Sequence, residues 1–343
     1  MSSELRVPGN LLLCGEYAIT EPGGLGLACA VDRYAIARVG DSDSLVITGR
    51  VDGLDRVWNF GHRDALPSGD LVSRTIAFVG RYFATKVPGH DASRLFLPSI
   101  RIDLDTSELQ STDTQTGRPR KLGLGSSAAV TVALTRVLTQ AAEAAGLESD
   151  SFADHGPGSA AHLALSAHRY AQGGAGSGYD VLTSYYGSTG LFAGGASPRW
   201  TRAGLPLSER MILSPGPYSV SSTDAVAAYR EWKTSYPEDS RAFLQTSNEL
   251  IRRLASVSTR SQFISQLQEY RTLLIDLGRR IGYSAEPPAD MADDEAFVFK
   301  ALGAGNELVL CLPSDVDTNA QYTRAGSITL KRLGVDEAPR EDA

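Results

Sequence analysis

The stretch KLGLGSSAAV, residues 121–130, constrains this chain more than any other. Gly123 and Gly125 let the backbone turn tightly and pass close to a ligand. Ser126 and Ser127 follow at the place where a helix would expose its unpaired N–H groups. Such a helix start attracts anions, and a lysine opens the motif. A glycine turn capped by serine is the alternative for an isolated motif of this kind, so the rest of the chain must decide.

Length and composition indicate a globular chain with two lobes. The sequence has 343 residues and 42% hydrophobic content, enough to bury a large core. A stretch rich in Gly, Ala, Ser and Pro near residues 195–210 marks the predicted boundary. We therefore predict an N-terminal lobe over residues 1–200 and a mixed α+β lobe over residues 201–343.

Charge and cysteine usage exclude several classes of protein. The net charge of −7 argues against a nucleic-acid partner. There is no signal-like N-terminus and no run of eighteen apolar residues, so we expect no membrane partner. The chain has an odd number of cysteines, and each lies in an apolar stretch: Cys14, Cys29 and Cys311. This pattern predicts reduced thiols and a cytoplasmic location. The oligomeric state is open, with a homodimer among the options.

Residue periodicity predicts the elements around the glycine motif. Alternation over residues 34–60 indicates consecutive antiparallel strands, and residues 106–120 have the composition of a mobile loop. A glycine-dense turn at residues 172–180 follows the helix predicted over residues 158–170. The helices predicted from apolar periodicity span residues 71–86, 128–145, 158–170, 224–232, 241–255 and 261–281.

Three further motifs accompany the glycine motif. They are PGNLLLCGEYAITEPG near the start, AHRYAQGGAGSGYDVLTSYYGS in the middle and FKALGAGNELVL near the end. In this order and spacing the four motifs resemble those of the GHMP kinases, the superfamily of galactokinase, homoserine kinase, mevalonate kinase and phosphomevalonate kinase. The GEYA, AQG, GSGYD and EPP segments are most similar to phosphomevalonate kinases.

This resemblance implies a fold and a reaction. The fold is α+β with two lobes, an N-terminal lobe like ribosomal protein S5 domain 2 and a ferredoxin-like C-terminal lobe. ATP and a small-molecule substrate would meet in the cleft, and the γ-phosphoryl group of ATP would pass to phosphomevalonate or a related metabolite of isoprenoid biosynthesis. A GHMP kinase for another alcohol and a non-catalytic ligand-binding protein on the same fold stay as alternatives.

The resemblance also implies roles for the glycine motif. Its backbone amides would wrap the ATP phosphates, and the hydroxyl of Ser127 would bind Mg²⁺. A purely structural helix cap is the alternative. The residues implied in nucleotide binding are Gly123, Leu124, Gly125, Ser126, Ser127 and Ala128.

Two charged residues are the catalytic candidates. Asp180 matches the aspartate of the GSGYD turn, where it would act on the acceptor as a base or as an electrostatic guide. A cap on the following segment is the alternative. Lys121 would neutralise charge on the transferring or the acceptor phosphate. The alternative is a solvated lysine at the end of a loop.

Several small or turn residues are implied in substrate binding. Ser177 and Gly178 neighbour the catalytic aspartate, and Glu16 and Tyr17 either support the first strand turn or lie near the substrate. A cap and a substrate contact are equally open for residues 221–223. The last motif would approach the substrate with bare backbone through Gly303, Ala304 and Gly305.

The sequence departs from the family pattern at three places. Asn10 and Gly174 stand where the resembling kinases have lysines, and Asn306 and Glu307 bring side chains into the last glycine loop. All three changes lower the positive charge around a phosphate acceptor. The acceptor is then a neutral or singly charged alcohol, or the reaction has been lost, or nearby arginines compensate. The compensating candidates are Arg118, Arg120 and Arg169.

Overall fold

The computed structural model describes most of the chain. The described residues are 3–51, 54–60, 69–87, 89, 95–112, 119–147, 159–174, 176–206, 211–216, 222–304, 308–314, 322, 327–330 and 341–342.

Strands and helices alternate irregularly along the chain, as expected for an α+β fold. The strands are β1 (Ser3–Cys14), β2 (Leu25–Asp41), β3 (Leu45–Val51), β4 (Leu54–Phe60), β5 (Ile100–Asp105), β6 (Gln110–Thr112), β7 (Pro119–Lys121), β8 (Thr189–Ala193), β9 (Arg199–Arg202), β10 (Met211–Pro215), β11 (Phe297–Leu302), β12 (Leu308–Pro313), β13 (Ile328–Leu330) and β14 (Glu341–Asp342). The helices are α1 (Leu71–Ala84), α2 (Ser126–Ala144), α3 (Ala160–Ala171), α4 (Tyr179–Tyr186), α5 (Ser222–Ser235), α6 (Pro237–Ser256) and α7 (Arg260–Ile281).

The chain divides into two compact units, and the division differs from the predicted boundary at residue 200. The reason is strand pairing: β8 pairs with Leu25–Cys29 of β2, which draws an N-terminal segment into the second unit. The first unit comprises Met1–Asn10, Arg33–Gly187 and Asp336–Ala343, and the second comprises Leu11–Asp32 and Ser188–Val335.

The eight-stranded sheet, to which β8 and β9 also belong, contains both parallel and antiparallel strand pairs. Its strand order is β14-β1-β2-β5-β3-β4, and β3 runs parallel to β5 while β2 runs antiparallel to β5. Ile47 and Ile102 are buried on one face, whereas Arg38 and Arg101 are exposed. The sheet therefore presents one apolar and one charged face, the usual pattern when a single face meets the core.

Helices α1, α2 and α3 pack on one another, and α4 packs on α2 and α3. In α1 the predicted apolar face is buried, from Val72 to Phe83, and the carboxylate of Asp70 caps the helix by accepting from the Ser73 amide at 2.8 Å. Helix α2 buries a continuous run of small and β-branched side chains, which allows its neighbours to approach closely.

The second unit contains an antiparallel sheet of order β11-β12-β10-β13, with helices α5, α6 and α7 packed together and α7 contacting β11. Thr259 caps the start of α7, and Gly282, at φ 77°, ends it in the left-handed conformation. Aromatic and aliphatic side chains fill the interior. Its cluster around the sheet consists of Ile212, Met291, Phe297, Phe299, Val309 and Cys311.

The cysteines are free and buried, as the sequence predicts. Burial raises the pKa of the Cys311 thiol to about 12 and those of Cys14 and Cys29 further, so all three thiols are protonated at neutral pH. Among the described residues, no helix is both long enough and apolar enough to cross a bilayer.

Two predictions about local structure are wrong in part, and one helix was not predicted. Of the strands predicted over residues 34–60, β3 and β4 pair antiparallel as expected, but β2 and β3 are not neighbours, because β5 lies between them. The segment 106–120, predicted as a loop, instead contains a 3-10 turn at Ser107–Leu109 and the paired strands β6 and β7. Helix α4 was not anticipated, since the glycine-dense sequence before it conceals a helix that starts one residue after Gly178.

Asp293 ties α7 to β11 and offers a test of the second unit. It accepts from both terminal nitrogens of Arg271, at 2.6 and 2.7 Å, and from the Phe299 amide at 3.0 Å. Burial alone would raise the pKa of Asp293, but these bonds, led by Arg271, outweigh burial and hold its pKa below the ordinary value.

Asp293→Asn is expected to lower the free energy of unfolding by about 1.5 to 3 kcal/mol at pH 7, since a bond to a charged group is lost. Because the folded-state pKa is lowered, this contribution is present above the unfolded-state pKa near 4 and is lost as pH falls through the folded-state pKa. Urea denaturation at pH 7 and at pH 3.5 measures it. Asp55→Asn, in an exposed pair with Arg50, is the control and should change nothing. A loss that is independent of pH would contradict the assignment.

Candidate functional site

The glycine motif opens α2 in the first unit. Gly125 is the N-cap residue, in the left-handed conformation at φ 67°, and the helix begins at Ser126. A glycine cap has no side chain to bond the first amides of the helix, so these amides are available to a ligand. Ser126 and Ser127 are half-buried, and Ala128 is buried.

Asn10 holds this loop in place. Its backbone N–H donates to the Leu124 carbonyl at 3.0 Å, and its side-chain nitrogen Nδ2 donates to the Ser184 hydroxyl at 2.9 Å. A Cβ on Gly125 would lie only 2.0 Å from Nδ2 of Asn10, so the asparagine side chain can approach the backbone this closely only at a glycine. The asparagine is 1% exposed. Where a lysine was expected to bring charge, the chain has a buried side chain that supports the loop.

A cavity of about 250 Å³ lies beside the start of α2. It combines the elements of a phosphate site, namely a lysine, two hydroxyls and a helix N-terminus. At another side it is lined by Trp58, whose ring nitrogen donates to Asp70 at 2.8 Å. The lining residues are Arg56, Trp58, Asp70, Leu71, Val72, Thr106, Lys121, Ser126, Ser127, Val130, Ala171 and Gln172.

A buried histidine links the glycine motif to the catalytic candidate Asp180. Nε2 of His168 lies 3.4 Å from the Ser127 hydroxyl and 2.9 Å from the side-chain nitrogen of Gln172, and Nδ1 lies 4.0 Å from Asp180. The histidine is 4% exposed. The sequence reasoning missed His168 as a site residue, although it stands inside the motif AHRYAQGGAGSGYD.

Asp180 occupies the first turn of α4. Gly178 is its N-cap at φ 90°, and a Cβ there would lie 2.2 Å from a methyl carbon of Leu165, so only glycine fits. One carboxylate oxygen accepts from the Val181 amide at 2.9 Å, and the other faces His168. With 24% of its side chain exposed, the carboxylate is both held in place and accessible.

The glycine-dense turn before α4 is held by Arg169. Its guanidinium donates to the Gly176 carbonyl at 3.1 Å and to the Ser177 carbonyl at 3.0 Å. Gly174 has φ 88°, and its amide donates to the Arg169 carbonyl at 2.7 Å. Arg169 was a candidate to compensate for a lysine of the family pattern. Two of its N–H donors instead bond to the backbone of this turn.

The remaining substrate candidates lie in the second unit. Glu16 pairs with Lys300 at 2.6 Å, with each side chain 1% exposed, and the Tyr17 hydroxyl donates to the Ala304 carbonyl at 2.7 Å. Burial raises the pKa of Glu16, and the charge of Lys300 opposes this effect. Gly303 has φ 75°, suited to a tight turn.

The structure thus distributes the predicted residues as follows. One cavity in the first unit brings together Lys121, Ser126 and Ser127, and His168 connects this group to Asp180. Gly123 and Leu124 form the loop that leads to the helix. Gly305, Asn306, Glu307, Ser221 and Arg118 fall outside the described residues.

Comparison with known proteins gives a family match and a curated relative. Residues 92–188 match the family model described as GHMP kinases N terminal domain. The mevalonate kinase of Methanothermobacter thermautotrophicus is 31% identical over 189 residues, which are 54% of this chain and 49% of that protein. The chain therefore spans about half the length of this curated relative.

Solved structures share the fold. The Lin0012 protein from Listeria innocua has a TM-score of 0.75 and 21% identity, over 92% of each chain. The phosphomevalonate kinase of Streptococcus pneumoniae, solved in complex with phosphomevalonate and AMPPNP, has a TM-score of 0.66 and 20% identity, over 92% of this chain and 93% of the other. These findings confirm the predicted resemblance to GHMP kinases and the predicted α+β fold.

The contact between Gly125 and Asn10 yields a prediction. Gly125→Ala is expected to lower the free energy of unfolding by about 2 to 4 kcal/mol, because the new methyl group adds a clash to an unfavourable φ. Gly146→Ala is the matched control, since φ is 78° there and the space is open, so only the backbone strain is added. Urea denaturation measures both. Asn10→Ala should recover part of the loss in the Gly125→Ala background, and equal losses at the two glycines would contradict the steric account.

Proposed function

We propose that this chain, which has the fold of the GHMP kinases and matches their N-terminal domain over residues 92–188, transfers the γ-phosphoryl group of ATP to phosphomevalonate or a related metabolite of isoprenoid biosynthesis. The observation that carries the proposal is the cavity at the start of α2, with His168 linking its Ser127 to Asp180. A phosphoryl transfer needs mainly positioning and charge neutralisation, and these residues supply both.

The residues around the start of α2 fit a nucleoside triphosphate. The first amides of α2 would donate hydrogen bonds to phosphate oxygens, Lys121 would neutralise the charge of the phosphates, and the glycines would let the backbone come close. The volume beside Trp58 would take the rest of the nucleotide. ATP would supply the phosphoryl group, and these groups of the chain would bind its phosphates.

The chemistry of the site also fits Mg²⁺ brought in with the nucleotide. In the described part of the chain, no three His, Cys, Asp or Glu side chains gather into a metal-binding group. Mg²⁺ is commonly held by one or two protein oxygens together with substrate phosphates and water. Ser127 would offer its hydroxyl, and His168 would keep that hydroxyl oriented.

Asp180 would act on the acceptor. Its Val181 bond fixes one carboxylate oxygen, and the accessible edge of the group would accept the proton of an acceptor hydroxyl or guide the acceptor electrostatically. For a phosphate acceptor no proton needs to be removed, and the carboxylate would then act by positioning alone.

A second candidate is a GHMP kinase for a different alcohol, such as mevalonate, a sugar or an amino-acid-like acceptor. Two observations favour it: Asn10 is buried and neutral where a lysine was expected, and the Arg169 guanidinium already bonds two carbonyls. A doubly charged acceptor phosphate would lose charge-assisted bonds worth about 1.5 to 3 kcal/mol each.

ATP consumption with Mg²⁺ tests the proposal against a panel of phosphomevalonate, mevalonate, homoserine and simple sugars. We expect turnover with one mevalonate-pathway acceptor, and Asp180→Asn should lower kcat by about 100-fold or more. Asp224→Asn, which removes a first-turn aspartate from α5, is the matched control and should leave kcat unchanged. Turnover only with another alcohol would keep the kinase and replace the substrate. ATP binding without any turnover would contradict the proposal that the chain is an enzyme, and it would favour a ligand-binding homologue.

The nucleotide site can be tested without turnover. Lys121→Met should weaken ATP binding by about 10-fold or more, because a charge-assisted bond to phosphate is lost. Calorimetric titration measures the dissociation constant. Lys86→Met, on the segment after α1, is the control lysine and should bind ATP normally. Equal affinity in Lys121→Met and wild type would remove Lys121 from the nucleotide site.

A further inference from the structure

The side chain of Gln172 joins the cavity of the first unit to His168. Gln172 lines the cavity and lies at the end of α3, one helical turn after His168. Its backbone N–H donates to the His168 carbonyl at 3.0 Å, and its side-chain Nε2 lies 2.9 Å from Nε2 of the imidazole. Arg74 of α1 donates to the preceding carbonyl, that of Ala171, at 2.9 Å. The backbone therefore holds the glutamine in place while its side chain contacts the ring.

This contact determines which ring nitrogen of His168 carries the proton. A neutral imidazole has one N–H and one nitrogen with a free lone pair, whereas the nitrogen of an amide side chain can only donate. Nε2 of Gln172 therefore donates to Nε2 of His168, which leaves the ring proton on Nδ1. The carboxylate of Asp180, which can only accept, lies 4.0 Å from Nδ1 and favours the same tautomer.

The tautomer decides how Ser127 can use its hydroxyl. The Ser127 oxygen lies 3.4 Å from Nε2 of His168, and Ser127 lines the cavity. When Nε2 is unprotonated, only the hydroxyl can donate in this contact, so the lone pairs of its oxygen stay available to the cavity. A proton on Nε2 would reverse the contact, because the ring would then donate to the oxygen and occupy a lone pair.

We propose that Gln172 is a positioning residue that holds His168 in the tautomer protonated on Nδ1 and thereby keeps the Ser127 oxygen available as a ligand for a cation in the cavity. This inference rests on the proposed function, since the cation that would use this oxygen arrives with the nucleotide. Gln172 acts through His168 and needs no contact with the nucleotide. The three side chains and Asp180 all belong to the first unit.

The nitrogen signals of the imidazole test the tautomer in nucleotide-free protein. Two-bond proton–nitrogen correlation NMR distinguishes a protonated from an unprotonated ring nitrogen, and His168→Gln identifies the signals of His168 among the five histidines. We expect wild type to carry the proton on Nδ1 above neutral pH. Gln172→Glu, in which a carboxylate replaces the donor, should place a proton on Nε2. Gln245→Glu, at an exposed position of α6, is the matched control and should keep the wild-type pattern.

A proton on Nε2 in wild type, or an unchanged pattern in Gln172→Glu, would overturn the inference. Gln172→Met removes the donor without adding a charge, and it keeps the test decisive if Gln172→Glu melts well below wild type. In Gln172→Met the share of the tautomer protonated on Nε2 should rise. A pattern identical to wild type would show that Gln172 does not select the tautomer.

Nucleotide binding tests the consequence at Ser127. The quantity measured is the factor by which Mg²⁺ tightens ATP binding, from calorimetric titrations with Mg²⁺ and with a chelator. Gln172→Glu should reduce this factor about tenfold or more, because a residue behind the ligand no longer orients it, and Gln245→Glu should leave the factor unchanged. Simple attraction of the cation by the new carboxylate would raise the factor instead. A raised or unchanged factor in Gln172→Glu would overturn the inference.

The two measurements also separate this inference from the proposed function. Neither requires turnover, since one uses nucleotide-free protein and the other measures binding. A wild-type protein that binds ATP with Mg²⁺ and turns over no acceptor would refute the proposed function, while the NMR pattern and the binding factor would still decide the role of Gln172.

Discussion

The first unit depends on one close approach, between Asn10 and Gly125. The asparagine side chain occupies the space that a Cβ at residue 125 would fill, and its two hydrogen bonds reach the glycine loop and Ser184 of α4. This contact determines where α2 begins and which of its amides stay open. A helix start that would otherwise be capped is left available to an anion, and the cavity lined by Lys121 lies beside it.

The same principle recurs at the second helix of the site. Gly178 starts α4 in the left-handed conformation against Leu165, and this places Asp180 in the first helical turn. His168 lies between the two helix starts and contacts a side chain from each. Glycine therefore provides the close approaches, and one buried imidazole relates the hydroxyl to the carboxylate. The proposed phosphoryl transfer, in which the protein mainly positions charges, would use this arrangement.

The second unit buries a charged pair at a turn, whereas the first unit buries a neutral residue at a position where a charge was expected. The pair of Glu16 and Lys300 lies beside Tyr17, which is strained at φ 63°, and a neutral pair there would stabilise the fold as well but would not set the same hydrogen bonds. Asn10, in contrast, is neutral and buried where the family pattern suggested a cation. The departure at Asn10 thus has a structural role, and it bears on the proposed choice of acceptor through the charge that is missing.

The sequence by itself determined the features that depend on neighbouring residues. The apolar face of α1, the glycine start of α2, the long helices of the second unit and the order of the four motifs could all be predicted, because helical periodicity and glycine conformations are local properties. The position of β5 between β2 and β3, the helix after Gly178 and the partners of His168 and Lys300 were decided only by the tertiary structure. Strand neighbours and the partners of buried polar groups come from distant parts of the chain, and packing, which no local pattern records, selects them.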